Sequence, residues 1–361
     1  MALPFFLWLL CVGTEHVRSH SGFSDIRTAP LAFAGGGFGS SPAKKTRTKP
    51  SKRKRAGGLT DLEPPVTKKT EEAPQLDKWG LPPPTEDDIF PPMPPGTELI
   101  SVPQTGTTSL EDIVAALTDH IPLKLDNFDS DGVEQSPSPG NPPMKLKLLH
   151  ISPPVLNIEN FFTKEECEVT KAVTMLDAVQ VNSATFSALA QSKRTSTSWF
   201  CYYAQMPALV AKAHCRLGIP VPQMEEPQIV RYRTGEEFTW HYDEVPPTQL
   251  DNGGQRLVTL LVYLNTVKQG GGTIFRDLCN ANGQPLTVKP VQGSALLFFP
   301  AFADGRPDDR TLHKGEVAHD EKWITQMWIH ERAYGPVIPP NNTHEAAQSA
   351  VDQVSKKLGY Q

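Results

Sequence analysis

No C-x-x-C pair occurs in the 361 residues: the five cysteines stand at 11, 167, 201, 215 and 279, without the ligand spacing of structural zinc. A structural zinc site is therefore not expected. Loss of an N-terminal signal would remove Cys11 and leave four cysteines, able to form one or two disulfides or to stay as free thiols. Long apolar runs are missing as well. Leu3–Val12 (LPFFLWLLCV) is too short for a membrane-crossing helix, which needs roughly 20 residues, so no transmembrane span is expected. Nor is there an excess of positive charge: a net charge of −5 and a pI near 6.1 give no general attraction for nucleic acid or an anionic membrane. Apolar residues make up only 38% against 35 prolines, so much of the chain is not expected to be packed core.

The prolines crowd the first half, in Leu81–Pro95 (LPPPTEDDIFPPMPP) and Ser136–Pro143 (SPSPGNPP). Missing amide donors and fixed φ angles there oppose regular structure, so the N-terminal half is expected to be largely disordered and the second half to hold one folded domain. Between Asp25 and Asp61 no acidic residue occurs, and residues 44–55 (KKTRTKPSKRKR) carry eight Lys or Arg. Residues 1–60 read as a targeting region, a signal peptide over about 1–20 followed by a basic segment with the bias of an organelle transit peptide. That points to the secretory pathway and the endoplasmic reticulum lumen. A plastid, through signal plus transit peptide, and the nucleus, through KRKR at 52–55, are the alternatives. The closing LGYQ is no retention signal, so lumenal residence would need another tether. Residues 61–145 read as a proline-rich linker with one short helix. In Ser109–His120, Leu110, Ile113, Val114 and Leu117 fall on one face, and Ser109 with Asp112 resembles a capping box. One helix cannot bury its stripe alone, so it either docks on the folded domain or awaits a partner.

From Lys145 the composition changes. LKLLHISPPVLNIENFF reads as short strands, Thr163 can cap a helix through TKEECEVTKAVTML, and a second helix is expected over Pro207–Leu217. β-type segments come next at Gln228–Tyr232, Phe238–Tyr242, Leu257–Leu264, Thr273–Phe275, Leu286–Lys289, Ala295–Phe299 and Trp323–His330, divided by Gly, Pro, Asn and Asp clusters. Many short strands behind a few helices predict a mainly β sandwich or barrel with a helical buttress over residues 146–336. Its longest strand, RLVTLLVYLN, is apolar on nearly every residue, as where one face meets the barrel interior and the other the helices. In the tail, 337–361, His344–Leu358 has weak helical character and Asn341-Asn342-Thr343 is a potential glycosylation acceptor.

Within FTWHYD, His241 and Asp243 stand two apart, and side chains at i and i+2 of a strand project from one face. His313 in TLHKG supplies a third ligand, completing the two-histidine, one-carboxylate set that leaves open positions on non-haem iron(II). An H-x-D pair alone recurs by chance in loops, and its weight here comes from a lysine further along the chain. Lys322 lies nine residues after His313 in EKWITQMWIHER, a segment that can form a strand beside it. An ammonium held inside a barrel needs an anionic partner, which a dicarboxylate co-substrate would supply. A surface lysine at a strand start is the plainer alternative.

Tyr232–Asp243 (YRTGEEFTWHYD), then RLVTLLVYLN, GGGTIF, LTVKPVQGSALLFF, LHKG and KWITQMWIHER resemble, in order, successive motifs of the prolyl 4-hydroxylase catalytic domain, over roughly residues 150–334. The resemblance implies a double-stranded β-helix of the jelly-roll, cupin-like kind and an iron(II)- and 2-oxoglutarate-dependent dioxygenase. Iron would be held by His241, Asp243 and His313, and 2-oxoglutarate by Lys322 and the hydroxyl of Tyr232. It further implies dioxygen as oxidant, succinate as by-product, ascorbate as reductant, and a protein or peptide substrate whose proline lies in an extended, polyproline-like segment. Arg194, in RTSTSW, matches a stretch near the site mouth and is a candidate substrate contact; a plain surface arginine is the alternative. Two departures stand out. The stretch KGEVAHDE is one residue short of the pattern, and the acidic residue that precedes the threonine of G-G-x-T is Gly272 here. A lysyl or small-molecule hydroxylase on the same fold, or a non-catalytic proline-rich interaction scaffold, are the competing readings.

Overall fold

A computed structural model describes residues 109–175, 179–182, 195–337 and 342–358. The targeting region, most of the proline-rich stretch, Arg194 and Asn341 of the glycosylation triplet lie outside the described residues.

Helix α1 (Leu110–Ala116) begins at Ser109, whose hydroxyl accepts from the Asp112 amide while the Asp112 carboxylate accepts from the Ser109 amide, the expected reciprocal cap. The helix stops short of the expected His120, and Val114 points to solvent at 55% exposure, so Ile113 and Leu117 carry the buried stripe. They enter the same core as Ile121, Leu125, Phe128 and Met144. Residues 109–144, read from composition as linker, are thus part of the folded body, and α1 is docked. Proline content misled because buried anchors, Ile121, Leu125, Phe128 and Met144, stand between these prolines and hold the stretch to the core.

Strands β1 (Lys145–His150) and β2 (Val155–Glu159) pair antiparallel, and Thr163 caps α2 (Lys164–Ala172) through a second capping box with Glu166. After β3 (Val179–Asn182) and β4 (Thr197–Phe200), Pro207 opens α3 (Pro207–Leu217) and Gly218 closes it at φ +74°. There a Cβ would stand 2.7 Å from that of Lys124. From β5 (Gln228–Tyr232) the chain alternates between two sheets: β6 (Phe238–His241), β8 (Thr273–Cys279), β9 (Pro285–Val288) and β11 (His313–Gly315) lie in one, and β5, β7 (Arg256–Tyr263), β10 (Ala295–Phe298) and β12 (Lys322–His330) in the other. Among the described residues the larger sheet has eight strands in the order β1-β2-β10-β7-β12-β5-β4-β3, and the smaller has four in the order β6-β11-β8-β9. This is the mainly β, two-sheet jelly roll with few helices that the resemblance implied.

Two apolar layers arise from the two faces of the large sheet. Along β7, buried throughout, Val258, Leu260 and Val262 enter the layer shared with the helices, while Leu261 and Tyr263 enter the layer between the sheets. The C-terminal helix α4 (His344–Leu358) covers α3, with Ala347 and Val351 buried. Cys167, Cys201, Cys215 and Cys279 are all free thiols, so no disulfide forms among the described residues. Burial pushes Cys167 and Cys201 up to about 12, which leaves both protonated and inert near neutral pH.

Candidate active site

The inter-sheet layer opens into a pocket lined by residues of both sheets, among them Tyr232, His241, Asp243, Thr259, His313 and Lys322. The antiparallel pairing of β11 with β6 sets His313 opposite His241. Asp243 lies just beyond β6, which ends at His241, one residue earlier than the expected Tyr242. One ligand atom from each of His241, Asp243 and His313 can be chosen so that all lie within 4.8 Å of one another. Nε2 of His241 is 3.7 Å from one carboxylate oxygen of Asp243, and Nε2 of His313 is 3.7 Å from the other.

Both imidazoles are oriented from behind. Nδ1 of His241 lies 2.8 Å from the Thr239 carbonyl oxygen and Nδ1 of His313 lies 2.9 Å from that of Thr311. A carbonyl only accepts, so Nδ1 carries a proton, and in the neutral ring Nε2 is then the nitrogen left free to ligate, the tautomer a metal needs. Phe238 stacks on His241 at 3.6 Å between centroids, and Phe298 meets His313 edge-on at 4.8 Å, which fixes the ring planes. Burial acts to raise the Asp243 pKa, but His313, His241, the Thr259 hydrogen bond and Arg256 outweigh it and hold the carboxyl below its ordinary value.

Lys322 opens β12 in the other sheet, paired with Tyr232 of β5 rather than lying beside β11 as its sequence distance from His313 suggested. It is 2% exposed, with Nζ 4.9 Å from the Tyr232 ring centroid and 5.9 Å from that of Tyr263, and among the described residues no side-chain carboxylate bonds it. Burial pushes its pKa down to about 7, opposed by the charge of Glu316. Gly271 gives the stem room, since a Cβ there would stand 3.3 Å from Lys322 Cδ. A buried cation thus shares one pocket with a carboxylate and two imidazole lone pairs.

A protein-family model described as the 2OG-Fe(II) oxygenase superfamily matches residues 227–330. Probable prolyl 4-hydroxylase 4 of Arabidopsis thaliana is 30% identical over 223 residues, covering 55% of this chain and 74% of that protein. The chain belongs to the prolyl 4-hydroxylase family. Prolyl 4-hydroxylase 1 of the same plant is 29% identical over 207 residues, covering 53% and 73% of the two chains. The viral collagen prolyl hydroxylase of Paramecium Bursaria Chlorella virus-1 aligns at 25% identity over 48% of this chain and 94% of its own, with a TM-score of 0.32.

As a prolyl 4-hydroxylase-like protein, the chain is a 2-oxoglutarate-dependent dioxygenase, and iron(II) and 2-oxoglutarate are the metal and co-substrate that its family and its His-Asp-His group imply. No helix among the described residues is long and apolar enough to cross a membrane. The short KGEVAHDE stretch is laced into this prolyl 4-hydroxylase fold by its backbone: Glu316 donates to Gly272, Gly271 donates to Val317, and Ala318 exchanges bonds with the Gly235–Glu236 turn. Gly270, at φ +66°, passes so close that a Cβ would stand 2.2 Å from the Val317 carbonyl oxygen.

Sequence reasoning missed two groups at this site. Thr259 donates to Asp243 Oδ2 at 2.7 Å, and its only signal was one threonine in the otherwise apolar run between Arg256 and Tyr263. Tyr263 contacts Thr273 Oγ1 at 2.9 Å, tying the two sheets together beside Lys322.

Proposed function

We propose that His241, Asp243 and His313 hold iron(II), that Lys322 and Tyr232 hold the distal carboxylate of 2-oxoglutarate, and that the enzyme hydroxylates peptidyl proline. The observation that carries the reading is the buried Lys322 ammonium in the pocket of a converging His-Asp-His group. An unpaired buried cation is costly, and a dicarboxylate that also reaches the metal is the partner that relieves it. Two neutral imidazoles and a carboxylate suit iron(II), and the three ligands leave positions open.

When bound, iron(II) and 2-oxoglutarate together supply the oxidation: dioxygen is cleaved, 2-oxoglutarate loses CO2 to become succinate, and one oxygen atom enters a substrate C–H bond. The chain's own residues do the rest. Lys322, flanked by the Tyr232 and Tyr263 rings, sets the depth at which the co-substrate carboxylate stops. Phe238, Phe298, Leu261 and Ile324 line the pocket with hydrocarbon and keep water from the reacting centre. Ascorbate is the reductant proposed for iron oxidised in uncoupled turnover.

For the substrate, the relatives named prolyl 4-hydroxylase support a proline in an extended, polyproline-like peptide, a conformation that enters a groove at low entropic cost. Arg194 remains the proposed contact at the site mouth. The endoplasmic reticulum lumen is the proposed location, on the apolar run Leu3–Val12.

The test is succinate release by the full chain with iron(II), ascorbate and 2-oxoglutarate, with and without a proline-rich peptide, beside His241→Ala. Peptide-stimulated release, lost in the variant, with the mass of one oxygen atom gained on proline, is expected. Release with no gain on proline would overturn the substrate, and a wild-type chain that binds no divalent metal would overturn the enzymatic site.

A further inference from the structure

Asp243 is the one member of the His-Asp-His group that no strand carries. β6 ends at His241, and Asp243 and the two residues after it run without a ladder partner. A ligand on unpaired backbone would swing with its loop, yet this carboxylate is buried and aimed at both histidines.

What replaces the ladder is a pair of side chains, Gln255 just before β7 and Arg256 at its first position. The Val245 amide donates to Gln255 Oε1, and Gln255 Nε2 donates back to the Val245 carbonyl at 3.0 Å. One side-chain amide therefore serves the donor and the acceptor of one residue, as a neighbouring strand would. Arg256 NH1 donates to the Asp243 carbonyl at 3.2 Å. The guanidinium cannot move with the loop, because Glu225 grips its Nε at 2.9 Å and NH2 at 2.8 Å and the Trp328 ring lies 3.8 Å beneath it. Glu225 is fixed in turn by His330, whose Nε2 is 2.9 Å from its Oε2. The bracing thus runs from β12, through Glu225 and Arg256, to the backbone of Asp243.

We propose that Gln255 and Arg256 are positioning residues, a side-chain clasp that stands in for strand pairing and sets metal affinity by fixing the direction of the Asp243 carboxylate. This rests on the reading that Asp243 binds the metal. Their hydrogen bonds go to the main chain of Asp243 and Val245. The clasp acts on the backbone at and beyond Asp243, while Thr259 donates to the carboxylate itself. Outer partners of this kind typically change metal affinity by about 10–100-fold when removed.

The experiment measures Co(II) binding to the metal-free full chain by visible absorption, together with the thermal midpoint, in wild type, Gln255→Met, Arg256→Lys, Asp243→Ala and Leu297→Ala. Gln255→Met keeps length and loses both bonds, whereas Arg256→Lys keeps the charge and loses the planar fork. Both are expected to weaken Co(II) by about 10–100-fold. Leu297→Ala, a core change on the helix side of β10, should lower the midpoint and leave Co(II) affinity as it is. Wild-type affinity in a folded Gln255→Met or Arg256→Lys protein would overturn the clasp, as would an equal loss in Leu297→Ala, which would make the effect one of general stability. Should Gln255→Met fail to fold, Arg256→Lys and Gln255→Glu, which keeps the acceptor for Val245 and loses the donor, decide the matter by the same isotherm. Unchanged Co(II) binding in Asp243→Ala would instead sink the metal reading itself.

Discussion

Lys322 and Tyr232 face one another in the β5–β12 ladder, with the ammonium 4.9 Å from the ring centroid and, among the described residues, no side-chain carboxylate bonded to it. Burial holds the lysine pKa near 7, so it is charged below neutral pH and largely neutral well above it. Only the charged form attracts a carboxylate. As pH rises from 6.5 to 8.5, 2-oxoglutarate should therefore bind more weakly, and binding at pH 8 should take up a proton, because the bound anion restores the charge. Titration calorimetry in two buffers of different ionisation enthalpy reads that uptake directly. Lys322→Met should cost about 1.5–3 kcal/mol of binding, or roughly 10–150-fold, and should abolish the uptake. Uptake that persisted in the variant would assign the proton elsewhere.

Residues 109–144 belong to the folded body. They supply Ile113, Leu117, Ile121, Leu125, Phe128 and Met144 to the helix-side core, and Glu134 pairs with Arg216 at 3.1 Å where both are buried. Losing single buried side chains of this size costs about 2–5 kcal/mol each, and a domain has only about 5–15 kcal/mol to lose. A chain beginning at 109 should unfold cooperatively in urea, whereas one beginning at 145 should show no cooperative transition. Equal midpoints for the two would make this segment a passive cover.

That boundary shows where the sequence was legible and where it was not. Regular periodicity is local, so α3 and β5 fall at the residues expected and the triad is found from two short motifs. Ile121, Leu125 and Phe128 are spaced four and three apart, as on one helix face, yet the chain behind Pro122 is irregular, so their local spacing does not describe the structure that buries them. Lys322 was recognisable as an anchor, but the number of residues separating it from His313 does not tell which sheet it joins. The Glu225–Arg256–His330 network joins residues 105 apart in the chain, and each of them alone looks like an ordinary charged or polar side chain.

Two buried histidines should make the fold acid-sensitive. His120 is 7% exposed with neither ring nitrogen bonded, and His150 is fully buried with Nε2 unbonded. Burial is the main reason that both pKa values fall below the ordinary histidine value of 6.5, with Arg310 adding to it. Below 6.5 the unfolded chain takes up protons that the folded chain refuses, so their contribution is complete above that pH and is lost as pH falls through the folded values. The thermal midpoint should drop between pH 7 and pH 5, and the drop should shrink in the His120→Gln, His150→Gln double variant. An unchanged slope would place the acid sensitivity in other groups.

At Gly272, where the family pattern has an acid, Glu316 already fills the space. The Gly272 amide donates to Glu316 Oε2 at 3.2 Å, and a Cβ at Gly272 would stand 3.2 Å from that oxygen and 2.9 Å from Thr287 Cγ2. Restoring the family residue should therefore harm this chain. Gly272→Glu forces a second carboxylate against the first and crowds Thr287, with an expected cost of about 1–3 kcal/mol. Removing the incumbent frees the place, so Gly272→Glu with Glu316→Ala should be less destabilised than the sum of the single variants, by at least about 0.5 kcal/mol. A urea double-mutant cycle measures that difference. Strict additivity would mean that the two positions do not compete, and that Gly272 is accounted for by the crowding from Thr287 alone.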